Sequence, residues 1–402
     1  MTKQISEFSA ADAALGYVYQ VRIALVWSLR RLKQGQDFIV TLETLDDVTF
    51  ETKGQPDELL QTKHHKNKAA NLTDASTDLW KTLRVWFEGY AHGSVPKGAA
   101  LHLLTTATAS AGSAAANLRV QNRNVPAAVQ ALEATAQSSV NQENLPAYTA
   151  FLSADATTRR VLLNSVVIFD AAEGVLDLNQ SLHEEVYWAT ESKYHEAFLD
   201  RLEGWWLRRV VKHLVHLHEG DEILSDELEA QMSDLREQFK ADSLPIDDDL
   251  LDFQLDETIY EAHTDSIFVR QIELTKAGKR RIAAAIRDYY RAVEQRSRWL
   301  RDDLLLIGDL DKYENRLVEE WELFFEATKD DLGSATIEAA KESAARSVLA
   351  WAERTTIPIR PMVVEPFVTR GSLHMLSDEL RIGWHTEFTE RLKHLLLDKA
   401  GS

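Results

Sequence analysis

The chain has 402 residues, no cysteine and a formal net charge of -19. This length accommodates two domains, the lack of cysteine excludes a disulfide framework and a thiolate zinc site, and no run of about 18 apolar residues marks a membrane span. Residues 1–215 carry 21 Lys+Arg against 24 Asp+Glu, and residues 216–402 carry 24 against 40. The acidity therefore sits in the second half, and the first half is free to form a local basic groove of the kind that binds phosphate. The opening Met-Thr-Lys-Gln-Ile-Ser-Glu lacks the basic-then-apolar pattern of a secretory leader. With the absence of cysteine, this predicts a cytoplasmic protein.

Residues 9–34 read as a first helix. Ser9 is placed to cap it and Asp12 lies in its first turn. Leu15, Val18, Val21, Leu25, Leu29 and Leu32 recur at helical spacing, and Gly35 follows as a stop. Gln20 sits mid-helix beside that stripe, either aimed at a site or at the helix edge. Residues 38–66 then read as strands, with a turn expected at Gly54-Gln55-Pro56-Asp57 and a last strand ending in Gln61-Thr62-Lys63. Side chains alternate along a strand, so Gln61 and Lys63 share a face and Thr62 takes the other. By the same parity Glu43 shares a face with Asp47 if that segment is extended, and Asp46 faces away.

A carboxylate, an amide oxygen and an ammonium at one sheet edge suit metal-assisted phosphodiester hydrolysis. Carboxylate and amide oxygens hold a hard cation, Mg2+ or Mn2+, and a lysine stabilises charge building on a phosphate. The expected set is Asp47, Gln61 and Lys63 as catalytic residues. Asp47 and Gln61 are the metal ligands, with Asp46 the substitute carboxylate if the register moves by one. Glu43 and Gln20 support the set, and His64, His65, Lys66 and Lys68 form the basic DNA-binding flank. A glutamine in place of a carboxylate removes one negative charge, so DNA phosphate oxygens or assembly with partners are expected to complete the metal site.

This pattern resembles the restriction-endonuclease-like nuclease core in the variant with glutamine two residues before the lysine. More closely it resembles the double-stranded DNA endonuclease domain of CD-NTase-associated effectors. The resemblance extends to Gly16-Tyr17-Val18-Tyr19-Gln20, to Asp78-Leu79-Trp80-Lys81-Thr82 and to Leu101–Ala107. It implies an α/β core with a mixed sheet flanked by helices.

Downstream, Thr73 or Asp74 heads a helix whose Trp80 and Trp86 stand among aliphatic residues as core. Residues 101–107 read as a short buried strand, and 108–116 as a small-residue loop leading into a helix. Pro126 opens a helix with Val129, Leu132 and Ala136. Val161–Phe169 reads as another strand, and 194–217 as a long helix ending in His213, His216 and His218. Those histidines complement the helix dipole better than they make a metal site. Residues 216–262 hold 16 Asp+Glu against 2 Lys+Arg. Leu224, Leu228, Met232, Leu235 and Phe239 nevertheless keep helical spacing, which predicts an amphipathic helix with an acidic face.

From Ile272 the reading is helical throughout, through Trp299, Trp321 and Trp351 to a last helix carrying Phe388, Leu392, Leu395 and Leu396. Lys279-Arg280-Arg281 reads as a solvated face, and His374 and His385 as structural. The expected division is a nuclease domain over 1–215 and a mostly α-helical partner-binding domain over 216–402, with a joining region up to about 265. The run Asp288-Tyr289-Tyr290-Arg291-Ala292, then Gln295–Trp299, Tyr313-Glu314, Arg370-Gly371-Ser372 and Gly383-Trp384-His385, resembles the C-terminal domain of ABC-three-component, Lamassu-type defence systems. The resemblance implies an effector subunit that joins an SMC-like ABC ATPase and a small third subunit, which hold its nuclease inactive until foreign DNA is sensed. Cutting both strands of a duplex calls for two active sites and so for a homo-oligomer. The competing reading is a catalytically inactive adaptor that binds DNA or the ATPase. Duplex RNA in place of DNA is a further alternative, since a basic groove reads phosphate.

Overall fold

In the computed structural model, which describes residues 10–65, 70–333 and 337–400, helix α1 (Ala10–Lys33) closes on Arg30, Arg31 and Lys33, with Gly35 following at φ 66°. Basic residues in a last turn offset the negative end of the helix dipole, and a left-handed glycine turns the chain away. Val21, Leu25 and Leu29 are buried as the spacing predicts, whereas Val18 is exposed. Ser9, Lys66 and Lys68 lie outside the described residues, as do the side chains of Asp12 and Leu396.

Strands β1 (Ile39–Leu42), β2 (Val48–Thr52) and β3 (Gln55–Lys63) form an antiparallel meander. The β2–β3 turn is Lys53-Gly54, both at positive φ (55° and 73°), the two-residue turn that matches strand twist. The expected Gly54–Asp57 turn is thus displaced, and Gln55–Asp57 already belong to β3. Pro56 is tolerated there beside a bulge at Phe50/Glu51. After β4 (Asn71–Leu72), helix α2 (Thr77–His92) crosses over to β5 (Ala100–Thr105), which lies parallel to β3. β6 (Thr108–Ala109) pairs with β4 as a separate small ribbon.

Helices α3 (Ala114–Asn117), α4 (Val125–Ser138), α5 (Leu145–Ser153) and α6 (Ala156–Ser165) precede β7 (Val166–Phe169), which is parallel to β5. The strand expected over 161–169 is therefore half helix. Asp155 caps α6 through Thr158 N, and buried Leu162 and Leu163 anchor its last turn. Helix α7 (Leu178–Val186), helix α8 (His195–Val215) and strand β8 (Ile223–Leu224) follow. β8 pairs with β1, so Leu224 is a strand residue and the acidic helix α9 (Ser225–Gln238) begins one residue later. The sheet order is β7-β5-β3-β2-β1-β8, a mixed sheet with β3 and β2 at its centre. Leu59 of β3 packs with Leu79, Trp80, Leu83 and Trp86 of α2.

The chain divides into two compact units, Met1–Ala189 with Phe198–Ser233 and Thr190–Ala197 with Asp234–Ser402. The second is helical: α10 (Asp248–Leu251), α11 (Glu257–His263), α12 (Ile267–Leu274), α13 (Lys279–Arg301), α14 (Ile307–Leu332), α15 (Glu338–Arg354), α16 (Pro366–Asp378) and α17 (Phe388–Ala400). The run from Ile272 is not continuous, since α12 stops at Leu274 and Lys276 takes φ 58° before α13 starts. Phe268, Ile286, Leu317, Trp321, Leu373 and Trp384 form its core. Among the described residues no helix is long and apolar enough to cross a membrane.

Candidate functional site

The β2–β3 register pairs Val48 with Leu60, and one further step sets Asp47 beside Gln61. The side chains follow. Gln61 Nε2 donates to Asp47 Oδ1 at 2.6 Å, while Thr62 donates to Asp47 Oδ2 from its backbone N at 2.7 Å and from Oγ1 at 2.9 Å. Lys63 Nζ donates to Gln61 Oε1 at 3.0 Å, and Thr82 of α2 reaches the same oxygen at 3.4 Å. Asp47, Gln61 and Lys63 are thus one array at the end of the central strand.

Glu43–Asp47 is not extended. It is the β1–β2 hairpin loop, entered through Glu43 at φ 57° and closed by Glu43 N donating to Asp47 O at 3.2 Å. The parity that put Glu43 and Asp47 on one strand face does not apply, yet the loop itself brings them together. Gln20, buried on α1, clamps both ends by donating from Nε2 to Glu43 Oε1 at 3.0 Å and to Asp47 O at 2.5 Å.

Asp46 turns inward. Its Oδ2 accepts from Trp86 Nε1 at 2.6 Å and its Oδ1 from Asp47 N at 3.0 Å. Burial pushes its carboxyl up to about 7, with the nearby Asp47 charge adding to the rise against the Trp86 hydrogen bond. Of the two adjacent carboxylates, Asp47 is the one that accepts from Gln61 Nε2 and from Thr62. Asp46 is held by Trp86 of α2 and also lies close enough to Gln61 for the amide to favour its charged form.

The flank splits by alternation. His65 Nε2 lies 2.8 Å from Asp78 Oδ2, and the Asp78 carboxylate raises the His65 pKa against the effect of burial. His65 N donates to Thr106 Oγ1 at 2.7 Å. His64 instead faces α1, its ring 5.1 Å from that of Tyr19, and its Nε2 accepts from Val175 N at 3.4 Å. Sequence reasoning missed Thr62, Thr82 and Trp86 as the groups that hold Gln61 and the two carboxylates. The signal for Thr62 was its place beside Gln61, opposite Asp47 once the hairpin register is known.

The donors of this array are oxygens, from Asp47, Gln61 Oε1 and, through Gln20, the adjoining Glu43. That is the chemistry of a hard divalent cation, and the residues fit such an ion by type. The second unit holds a different group, Glu338, His385 and Glu387, whose ligand atoms lie within 4.8 Å of one another. It does not suit a metal. His385 Nδ1 accepts from Glu387 N at 3.1 Å, which leaves the proton of the neutral ring on Nε2. Arg391 pairs with both carboxylates and Lys341 with Glu387.

Two further histidines, His213 and His374, have structural settings. His213 is fully buried, its Nε2 3.1 Å from Leu42 N and its Nδ1 against Asp221 O. His374 is enclosed with Phe268 and Trp384, and burial drops its pKa to about 4. The glycines of the C-terminal signature serve packing. A Cβ on Gly371 would lie 2.1 Å from Asp288 O of α13, and one on Gly383 would lie 2.1 Å from the Phe388 ring. Arg370 pairs with Asp288 at 2.6 Å, and Gln271 Nε2 donates to Ser377 O and Ile382 O.

Residues 268–392 match C-terminal domain 7 of the ABC-three component (ABC-3C) systems. Over just under a third of the chain, the helical unit is thus similar to a C-terminal domain of ABC-three component systems, which are multi-subunit complexes. The match covers the signature residues just described and stops short of the mixed-sheet unit. No curated protein and no solved structure matches the chain.

Proposed function

We propose that the mixed-sheet unit is a restriction-endonuclease-like, Mg2+-dependent endonuclease for double-stranded DNA, the effector of its ABC-three component system. The observation that carries this reading is the single hydrogen-bonded array of Asp47, Gln61 and Lys63 at the end of β3. Asp47 and Gln61 Oε1 would hold the cation, with Glu43 next to them. When bound, the cation polarises the phosphate and lowers the pKa of a bound water. Lys63 swings from Gln61 to the phosphate and stabilises its developing charge. Gln20 and Thr62 fix the loop and the carboxylate so that this geometry needs little reorganisation. His65, whose protonated form Asp78 favours, contacts the duplex backbone. An SMC-like ATPase and a small third subunit hold the effector inactive until foreign DNA is sensed, and two copies then cut the two strands.

An inactive adaptor is the second reading, favoured by one observation: one of the two adjacent carboxylates, Asp46, is engaged by Trp86. Plasmid cleavage by the purified chain, in Mg2+ or EDTA and beside a Lys63→Ala variant, separates the two. Cutting that requires both the metal and Lys63 supports the endonuclease. Absence of cutting even with the partner subunits and DNA ends present supports the adaptor, and cutting of duplex RNA in preference to DNA would reassign the substrate.

A further inference from the structure

Arginines in the helical unit generally meet carboxylates. Arg281 pairs with Glu353, Arg298 with Asp249, Arg370 with Asp288 and Arg391 with Glu338. This is the expected outcome where residues 234–402 carry 34 Asp+Glu against 24 Lys+Arg. One place departs from it. A cavity of about 270 Å³ between the start of α14 and the segment before α16 is lined by Leu305, Asp309, Lys312, Tyr313, Arg316, Ile359 and Arg360.

The cations here are held by neutral groups. Arg360 donates to Ser243 O at 2.8 Å and to Leu304 O at 2.9 Å, and Arg316 donates to Pro358 O. Neither these two nor Lys312 forms an ion pair with a carboxylate among the described residues. Asp309 is engaged in capping, its Oδ2 accepting from Leu306 N at 3.2 Å. Three positive charges thus share one concave site with a single carboxylate, inside a strongly acidic unit. A surface charge of this kind is complementary to an anion and repels none of it.

Part of the wall is apolar, and apolar residues stand exposed close by in the chain. Leu305, Tyr313 and Ile359 line the cavity. Leu306 and Ile307, next in the chain, are 69% and 73% exposed, and Met362, two residues past Arg360, is 63% exposed. Tyrosine and arginine in one small pocket are residue types enriched at interface hot spots. The rest of the unit is too acidic to attract a duplex backbone.

We propose that this cavity docks a partner polypeptide of the complex, receiving a carboxylate with an apolar side chain beside it. Lys312 and Arg316 recognise the carboxylate, and Leu306 and Ile307 cover the apolar neighbour. The inference is independent of whether the other unit cuts DNA.

The test uses the full chain and the purified partner subunits of its own system, with binding followed by biolayer interferometry. Lys312→Glu and Lys312→Glu/Arg316→Glu are compared with wild type and with Arg280→Glu, a charge reversal elsewhere on the exposed surface. Both cavity variants should weaken binding by about tenfold or more, and Arg280→Glu by much less. Lys312 is exposed, so its single variant keeps the fold, which a melting curve checks. A photo-crosslinking residue at Ile307 should attach to a partner segment containing Asp, Glu or a chain terminus next to an apolar residue. The proposal is overturned by unchanged affinity of the cavity variants, by no binding of the wild-type chain to any partner subunit, or by a crosslink to a second copy of this chain or to nucleic acid.

Discussion

The two faces of strand β3 carry polar groups of opposite character. On one face Glu58 is buried and saturated: Trp27 Nε1 donates to it at 2.9 Å, Arg31 Nη2 at 2.7 Å, and His102 Nδ1 lies 2.7 Å away. On the other face, at the strand end, Gln61 and Lys63 share a half-buried array with Asp47. Burial would raise the Glu58 carboxyl, but His102 and Arg31 more than offset it and hold it at about 2. A saturated buried charge fixes the position of α1 against the sheet. An array with an ammonium resting on an amide oxygen can exchange partners, which chemistry requires. Side-chain alternation thus sets Glu58 on the face opposite Gln61 and Lys63, with Thr62 at the strand end joining the array through Asp47.

The largest expected effect breaks the structural side. Glu58→Ala leaves Arg31 buried with only Asp57 near it and should destabilise the protein by about 3–5 kcal/mol in urea unfolding. Because the folded pKa of Glu58 lies below its ordinary value, its contribution is present above the unfolded pKa and is lost as pH falls from about 4.5 towards about 2. A loss under about 1 kcal/mol at pH 7 would contradict this reading, being no more than a surface substitution gives.

Lys63→Ala is the matching break on the other face. If the proposed activity is present, cleavage should fall by about 100- to 1000-fold, with stability within about 0.5 kcal/mol of wild type. A variant that melts early instead would make Lys63 part of the scaffold.

The meander, the crossover helix and the helical second half were legible because period-two and period-3.6 patterns state which face is buried. Trp80 and Trp86 were readable as core for that reason. Other features were decided by geometry at single residues. The β2–β3 turn moved because Lys53 takes a positive φ that the Gly-Gln-Pro-Asp string did not advertise. The strand expected from Val161 was helical at first because a capping Asp155 and the packing of Leu162 and Leu163 overrode β-propensity. In the candidate site, alternation paired Gln61 with Lys63 correctly. The choice between Asp46 and Asp47 depended on a hairpin register and on Trp86, which is distant in sequence. The Arg370-Gly371-Ser372 signature could be read as a motif, but its reason, a close helix crossing at Gly371, exists only in three dimensions.

Asp46 tests whether the inward carboxyl belongs to the scaffold or to the array. Its folded pKa of about 7 lies above its ordinary value, so the native state favours the protonated form and stability falls as pH rises through 7. Asp46→Asn stays neutral and can still accept from Trp86. It should be more stable than wild type at pH 8, on the order of 2 kcal/mol, with the gap closing towards pH 4. Cleavage should survive the change at reduced rate. Abolition of cleavage with unchanged stability would instead move Asp46 into the metal-binding set.

The smallest effect is the one that most sharpens the comparison, because Gln20 touches the array without belonging to β3. Its Nε2 donates to Glu43 Oε1 and to Asp47 O, so it sets the shape of the hairpin loop and leaves the Asp47 carboxylate to Gln61 and Thr62. Gln20→Ala should cost about 1 kcal/mol of stability and lower cleavage about tenfold, with the apparent Mg2+ requirement rising because the loop no longer holds Glu43 and Asp47 together. Gln20→Glu should be worse than the alanine variant, since it sets a carboxylate against Glu43 and a carbonyl oxygen with no proton to give. If the two variants behave alike, the clamp is only packing. If Gln20→Glu alone loses metal dependence, the donor at this position orients the site.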